Sequence, residues 1–231
     1  MRSRAPVLIR PPLSLCHRPS FSRKQATVVA MGPPLPAKEL GHVMGAKLGT
    51  APVLAAWLDY CCPFSAKAFK TITEEVVPAY GDKLTFVMYH CPQPWHPQGT
   101  LLHEAAFAVA RVSGEETFWK FSTALMAEQV RFFDINTIDK SRSQIYAELV
   151  ELAGTVGADT AAMAPLLTIN TDGGAKNGGS FVLQDIKFHV KLARQNGIHV
   201  TPTTMLNGMV CDTSSGWSLE EWKAFLDSHL A

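Results

Sequence analysis

The residues best suited to chemistry are two adjacent cysteines followed directly by a proline. Cys62 and Pro63 lie in the segment DYCCPFS at positions 59–65. Proline favours the first position of a helix, so the cysteine before it has its sulfur beside free backbone N–H groups and the positive end of the helix dipole. This environment stabilises the thiolate, which is the nucleophilic form of the side chain. We therefore expect Cys62 to be a nucleophile; the alternative is a buried structural cysteine at the end of a strand.

The other cysteines of the body have less defined roles. Cys61 adjoins Cys62, and a disulfide ring through neighbouring residues is strained, so Cys61 is interpreted as a bystander or a modulator. Cys91 ends a second apolar segment that should lie beside the first, which leaves an alternative resolving role open. Cys211 is interpreted as a packing residue. Cys61 and Cys91 are therefore auxiliary candidates only.

Asp59 and His96 are polar candidates near the same segment. Asp59 precedes Cys62 by three residues and could accept a proton or merely cap the end of a strand. His96 stands between prolines in the run QPWHP, and together with His90 and Cys91 it could suggest a metal cluster. Their spacing matches no tetrahedral zinc pattern, so we expect no metal.

The reactive segment joins a predicted strand to a predicted helix. Residues 53–60 are almost continuously apolar, as in a parallel strand covered on both faces. From Pro63 the apolar residues recur every four positions, which predicts a helix that Pro78 closes. Residues 84–90 form a second short strand. The opening is therefore a strand, helix, strand unit with a right-handed crossover.

A long helical segment separates this unit from the last strands. Its predicted helices lie at 101–112, 115–133, 141–156 and 181–196. Extended structure returns at 199–206 and continues after an Asn207-Gly208 turn, which is a hairpin pattern. A final helix should begin at Ser218 with a capping box.

Composition excludes several classes of protein. The 231 residues have a hydrophobic fraction of 47% and a formal net charge of +1. All 20 acidic residues lie from Glu39 onward, whereas seven of the 21 basic residues precede it, so residues 39–231 carry 14 basic side chains and a net charge of −6. A nucleic-acid-binding domain is therefore not expected. No apolar run reaches the roughly 18 residues of a membrane-spanning helix, and the cysteines are too few for a disulfide scaffold.

Residues 1–38 form an acid-free segment rich in arginine and proline. An Arg- and Ser-rich segment without carboxylates is typical of an organellar transit peptide. We therefore expect import into a mitochondrion or a plastid. The alternative is a disordered extension before an internal start at Met31, with the protein in the cytoplasm.

The order of these elements resembles the DsbA-like branch of the thioredoxin superfamily, over roughly residues 50–231. The motifs that carry the resemblance are CPFSAK at 62–67, QPWHP at 93–97 and SSGW at 214–217. They are most similar to eukaryotic thioredoxin-fold proteins with a CPFS motif, which are more distantly related to kappa-class glutathione transferases. The resemblance implies an α/β, thioredoxin-like fold for residues 39–231. An all-helical insertion at about 100–196 then lies between the second strand and the strand that follows a cis-proline.

The resemblance also implies a set of substrate-binding residues. In this fold the proline that matches Pro202 is cis and lies across from the active cysteine. The backbone of the preceding residue, Thr201, then pairs with an extended substrate. Pro63 and Phe64 complete the set on the helix side.

One position departs from the disulfide enzymes of this family. They carry Cys-x-x-Cys, whereas this chain has Ser65 where the second, resolving thiol should be. Attack by Cys62 on a disulfide then stops at a mixed disulfide, which an external thiol such as glutathione must resolve. Ser65 can still donate a hydrogen bond to the thiolate. Ala56 also stands where these enzymes often bury a carboxylate.

These observations leave several functional hypotheses. The first is a thiol-disulfide oxidoreductase that acts on protein thiols or disulfides through Cys62 alone, with glutathione as co-substrate and no bound cofactor. The second is a kappa-type glutathione transferase, whose Ser-Pro-Tyr-Ser-like segment resembles residues 62–65. The third is a non-catalytic module that grips extended peptides against Thr201. An iron-sulfur carrier of the Cys-Gly-Phe-Ser glutaredoxin type is disfavoured, because proline replaces the glycine.

Overall fold

The computed structural model describes residues 34–230. Residues 1–33, which hold most of the expected transit peptide and the alternative start at Met31, lie outside the described part. Within it, the chain from Leu35 onward forms one unit by its internal contacts. The domain boundary expected at residue 39 stays a sequence-based prediction.

A five-stranded mixed sheet lies at the centre of this unit. Its strands are β1 His42–Gly45, β2 Val53–Leu58, β3 Thr85–His90, β4 Thr203–Leu206 and β5 Met209–Cys211. They are arranged β1-β3-β2-β4-β5, with β2 and β3 parallel and the other neighbours antiparallel. This sheet, with the crossover between its parallel strands, confirms the expected thioredoxin-like α/β fold.

Helices cover the sheet and form the insertion. The group that follows β2 is α1 Pro63–Thr71, a π-helical turn Ile72–Val76 and α2 Val77–Tyr80. Between β3 and β4 lie α3 Gly99–Ala127, α4 Asp134–Thr137, α5 Arg142–Thr155, α6 Thr160–Leu166 and α7 Leu183–Gln195. The last element is α8 Leu219–Leu230. The segment between β3 and β4 is therefore helical, as expected, apart from loops and one isolated bridge between Ile169 and Ser180.

The prediction that Pro78 closes the first helix is wrong. The helix continues through the π-helical turn, in which the Val77 amide donates to the carbonyl of Ile72, five residues earlier. Because this turn is wider, Pro78 enters at the second position of α2, near the start of a new helical segment. The missing N–H of proline is therefore accommodated rather than terminating the helix.

The two helices predicted at 101–112 and 115–133 correspond to the two halves of α3. They are separated at Gly114, whose φ of 79° and ψ of 177° are values that side-chain-bearing residues rarely adopt. The second half ends at Ala127 instead of Phe133, because a 3₁₀ turn over Gln129–Phe132 follows it. Strand β1 and helices α4 and α6 are additional to the predicted elements. They are short, with four, four and seven residues, so none of them gives a clear period in the sequence.

Alternate residues of β2 enter two separate cores. Leu54, Ala56 and Leu58 belong to the larger core, which includes residues of α1, α3, α5 and α8. Ala55 and Trp57 point to the opposite face and join a smaller core with residues of β3 and α7. This burial on both faces is the reason why the strand is a continuous apolar run in the sequence.

The predicted hairpin and final helix are confirmed. Asn207 and Gly208 have φ values of 48° and 84°, as the two-residue turn between β4 and β5 requires. The Ser218 amide donates to the Glu221 carboxylate at 2.7 Å, and the Glu221 amide donates to the Ser218 hydroxyl at 3.4 Å. These reciprocal bonds are the capping box that begins α8.

Candidate active site

Cys62 is the N-cap residue of α1. Its backbone is extended, with φ −85° and ψ 118°, and Pro63 is the first residue of the helix, as predicted. The Cys62 amide donates to the Asp59 carbonyl at 3.0 Å, which closes the turn between β2 and α1. Cys62 is only 6% exposed, so most of its side chain is covered by protein. We call residues 59–62 the reactive turn.

The cis-proline loop lies against this thiol. The Cys62 thiol donates a hydrogen bond to the Thr201 carbonyl at 3.3 Å. The Thr201–Pro202 peptide bond is cis, as the resemblance implies. Strand β4 brings the loop there by pairing with β2, with Thr203 opposite Trp57. Residues 139 positions apart in the sequence are therefore direct neighbours at the site.

Ser65 occupies the position of the missing second thiol and is fully buried. Its hydroxyl accepts a hydrogen bond from the Asp59 amide at 3.2 Å. Among the described residues, no hydrogen bond joins Ser65 to the sulfur of Cys62. Ser65 thus ties the first turn of α1 to the end of β2, and its contact with a thiolate stays a prediction.

Asp59 is a buried carboxylate that accepts four hydrogen bonds. Its Oδ1 accepts from the Cys61 amide at 3.1 Å and from His103 Nε2 at 3.3 Å. Its Oδ2 accepts from the Gln93 amide at 3.2 Å and from His96 Nδ1 at 2.5 Å. Burial by itself would raise the pKa of Asp59, but the bonds and charge of His103, then the bond from His96, hold that pKa below its usual value. The carboxyl group is therefore ionised at neutral pH although it is fully buried.

A line of buried histidines continues from Asp59 into the protein. His103 Nδ1 lies 2.7 Å from His90 Nδ1, and the His90 amide donates to His189 Nδ1 at 3.0 Å. Burial, reinforced by the neighbouring histidines, lowers the pKa of His90 far below its usual value and that of His189 to about 3. Both side chains are therefore neutral at physiological pH. Among the described side chains, His90 Nε2 is a buried polar atom without a hydrogen-bond partner.

His103 is a site residue that the sequence alone does not indicate. It is fully buried in α3 and lies 44 positions after Asp59. A single histidine within a helical apolar run is most simply a packing residue, and no local motif distinguishes it. Its role becomes visible only when α3 is placed against the end of β2.

Cys61 and Cys91 lie in different cores. Cys61 belongs to the larger core and Cys91 to the smaller one, where its sulfur accepts a hydrogen bond from the Gln93 side chain at 3.3 Å. Burial, followed by the charge of Asp59, raises the pKa of both thiols, that of Cys91 to about 11. All four described cysteines, including Cys211, are free thiols. Neither Cys61 nor Cys91 is thus favoured as a thiolate.

A cavity opens beside the reactive turn, and a larger one adjoins it. The smaller one, here called the His96 cavity, has a volume of 360 Å³ and is lined by Cys61, Pro63, His96, Gln98, Phe133, Asp134 and Ile135. A larger cavity of 920 Å³ between α3, α4 and α5 shares Gln98, Asp134 and Ile135 with it. Ile135 is 78% exposed, and Phe64 at the start of α1 is 58% exposed. The reactive turn therefore borders a hollow with substantial apolar surface.

Neither a metal cluster nor a membrane-spanning helix occurs in the part of the chain that the structure describes. Across residues 34–230, no three His, Cys, Asp or Glu side chains are grouped so that they could hold a metal ion. Over the same range, no helix combines the length and the apolarity needed to cross a bilayer.

Solved structures similar to this chain include several thiol-disulfide proteins. A candidate protein-disulfide isomerase from Pseudomonas syringae has a TM-score of 0.65 and 26% sequence identity, covering 80% of this chain and 97% of that chain. The thiol-disulfide exchange protein α-DsbA2 from Wolbachia pipientis has a TM-score of 0.60 and 16% identity, covering 82% and 87%. For BdbD from Bacillus subtilis the TM-score is 0.58 and the identity 19%, covering 82% and 92%. No family model and no curated protein matches the chain.

These similarities extend over the sheet and the helical insertion together. They agree with the fold implied by the motifs around Cys62 and Pro202. The likeness to eukaryotic CPFS proteins and to kappa-class transferases stays a prediction. The chain therefore has a DsbA-like thioredoxin fold.

Proposed function

We propose that the protein is a thiol-disulfide oxidoreductase that acts through Cys62 alone, with glutathione as its co-substrate. The observation that carries the proposal is the contact between Cys62 and the Thr201 carbonyl at 3.3 Å, with Ser65 in the place of a second thiol. A substrate strand paired with the backbone of Thr201 would lay its disulfide against the Cys62 sulfur. The exposed ring of Phe64 offers apolar contact beside it.

The reaction begins when the Cys62 thiolate attacks one sulfur of a substrate disulfide. A new S–S bond forms to that sulfur, the substrate S–S bond breaks, and its electron pair leaves with the second sulfur, which becomes a thiol on protonation. The sulfur of Cys62 is oxidised and the substrate disulfide is reduced. Cys61 and Cys91 are poor replacements, because their raised pKa values leave little thiolate.

Glutathione completes the cycle, because Ser65 has no thiol with which to displace the substrate. One glutathione thiolate attacks the mixed disulfide at the Cys62 sulfur and releases the remaining substrate thiol. A second glutathione thiolate attacks the Cys62–glutathione disulfide and regenerates Cys62. One substrate disulfide is thus reduced while two glutathione molecules are oxidised to their disulfide.

The substitution Ser65→Cys tests this proposal. If only the resolving sulfur is absent, the variant should form an internal disulfide with Cys62 under mild oxidation. Its reduced form should reduce one insulin disulfide per molecule without glutathione, whereas the wild type should need glutathione. Cys62→Ser should be inactive, and Cys211→Ser, which removes a free thiol of β5, should behave like the wild type. A Cys62→Ser variant that keeps glutathione-dependent activity would refute the proposal.

We also propose that residues 1–38 direct import into a mitochondrion or a plastid, because they contain seven basic residues and no acidic one. The free thiols of the four described cysteines are compatible with a reducing compartment. Residence in the cytoplasm is the alternative outcome.

A further inference from the structure

His96 and Asp59 form an ordered pair beside the reactive turn. His96 Nδ1 donates to Asp59 Oδ2 at 2.5 Å, and three further hydrogen bonds hold the carboxylate in place. The Asp59 side chain is fully buried, whereas that of His96 is 20% exposed. Because Nδ1 is engaged by the carboxylate, Nε2 is the nitrogen of His96 that is free to meet a substrate.

The His96 cavity provides room for half of a substrate. It is lined by Cys61 and Pro63, which flank Cys62 in the chain, and by His96 itself. A disulfide attacked by Cys62 can therefore release its second half toward this cavity. The lining includes the carboxylate of Asp134 but neither lysine nor arginine. His96 is the lining side chain that can carry a positive charge there.

A thiolate is poorly stabilised in this cavity. The thiol of Cys61, which lines it, has its pKa raised first by burial and then by the charges of Asp59 and Asp134. A departing substrate thiolate that enters the cavity meets the Asp134 carboxylate and no lysine or arginine of the lining. Its departure is therefore favoured if it receives a proton as the S–S bond breaks.

We propose that His96 donates this proton to the departing sulfur and, in the return step, accepts a proton from the incoming glutathione thiol. The inference rests on the proposed function of Cys62. Asp59 is a positioning residue: it fixes the orientation of the His96 ring and stabilises the imidazolium, as buried carboxylates do for catalytic histidines. His103 holds the opposite oxygen of Asp59 and acts on His96 only through it.

Protons and electrons balance in this step. The Cys62 thiolate bonds to one substrate sulfur, the substrate S–S bond breaks, and the electron pair of that bond goes to the departing sulfur. The proton on His96 Nε2 passes to that sulfur, which leaves as a neutral thiol. His96 is then a neutral imidazole whose Nδ1–H still bonds to Asp59. Solvent at its exposed edge, or the glutathione thiol of the next step, returns the proton.

Leaving groups of different basicity distinguish this role from a structural one. Bis(2-hydroxyethyl) disulfide releases a basic alkyl thiolate, whereas 5,5′-dithiobis(2-nitrobenzoate) releases a weakly basic aryl thiolate that departs without a proton. In full-length His96→Gln, modification of Cys62 by the alkyl disulfide should slow at least about tenfold, and modification by the aryl disulfide should stay within about threefold. Alkylation by iodoacetamide should be unchanged. Mass spectrometry of the modified peptide follows each rate, with Cys62→Ser as background.

His229→Gln is the matched control, because His229 is an exposed histidine of α8. It should leave all three rates unchanged. If His96→Gln slows the modification of Cys62 equally with both disulfides, His96 has a structural role. If the rate falls with neither disulfide, His96 takes no part in the reaction. Both results would overturn the inference and leave the proposed function standing. If Cys62 of the wild type reacts with neither disulfide, the proposed function fails and the inference fails with it.

Asp59→Asn gives a second measurement of the same pair. The amide keeps the size of the carboxylate but no longer stabilises the imidazolium of His96. The variant should therefore lose rate with the alkyl disulfide more than with the aryl disulfide, as His96→Gln does. Equal loss with the two reagents would contradict the positioning role of Asp59.

Discussion

Replacing His103 with leucine should leave the buried Asp59 carboxylate with one fewer donor and His90 Nδ1 without its partner. The two contacts that disappear are 3.3 Å and 2.7 Å long. A buried polar group left without its partner costs about 1–3 kcal/mol, and more when the group is charged. Two groups lose a partner here, while three donors to Asp59 remain, so we expect the free energy of unfolding to fall by about 3 kcal/mol. For a chain of this size, Tm should fall by roughly 6–12 °C.

The loss of stability caused by His103→Leu should become smaller as the pH is lowered. In the wild type the pKa of Asp59 is depressed by its partners, so its contribution to stability is present above the unfolded-state pKa of about 3.9. That contribution is lost as the pH falls through the lower pKa of the folded state. Without His103 the pKa of Asp59 is depressed less, so the variant loses less stability on acidification. The difference in stability between the two proteins should narrow between about pH 5 and pH 3.

Urea unfolding followed by circular dichroism measures both effects. In a double-mutant cycle, His103→Leu and Asp59→Asn should show a coupling energy of about 1–3 kcal/mol. His189→Leu is the matched control, because His189 is also buried but bonds to the His90 amide instead of Asp59. Its coupling to Asp59→Asn should stay within about 0.5 kcal/mol. Additive effects of His103→Leu and Asp59→Asn, or a stability difference that widens at low pH, would refute the reasoning.

The remaining predictions concern thiol selectivity, the insertion and the N-terminal segment. Oxidised glutathione should modify Cys62 faster than Cys91 or Cys211, whose pKa values are raised by burial; even labelling in a mass-spectrometric time course would contradict this. Glu104→Gln should lower the free energy of unfolding by about 1–3 kcal/mol, and an unchanged urea midpoint would count against it. The donors to this buried carboxylate are Ser180, Tyr146 and Arg142. A fluorescent fusion of residues 1–45 should enter an organelle and be shortened, whereas a diffuse, full-length fusion would exclude import.

The local sequence predicts some of the residues and contacts of the site but not others. Cys62 can be assigned to the start of a helix because the preference of Pro63 for the first helical position is a local effect. The cis bond before Pro202 is implied by the motif resemblance. The contact between Asp59 and His103 cannot be predicted in this way, because it depends on the packing of α3 against β2. The rule that proline ends a helix fails at Pro78, because the π-helical turn before it changes the register of the helix.

Helix α3 is tied to the reactive turn in both of its halves, which limits the changes of length that it can accept. Gly99 begins the helix against the reactive turn, and His103 must meet Asp59 about one turn later. Inserting or deleting one residue between them would rotate the rest of the helix by about 100°, so one of these contacts would be lost. The second half is tied to the same turn, because the Ser122 hydroxyl lies 2.7 Å from the Tyr60 hydroxyl and the Gln129 side chain, just after the helix, donates to the Tyr60 carbonyl at 2.9 Å. Among descendants of this sequence, insertions and deletions should therefore be eliminated from both halves of α3.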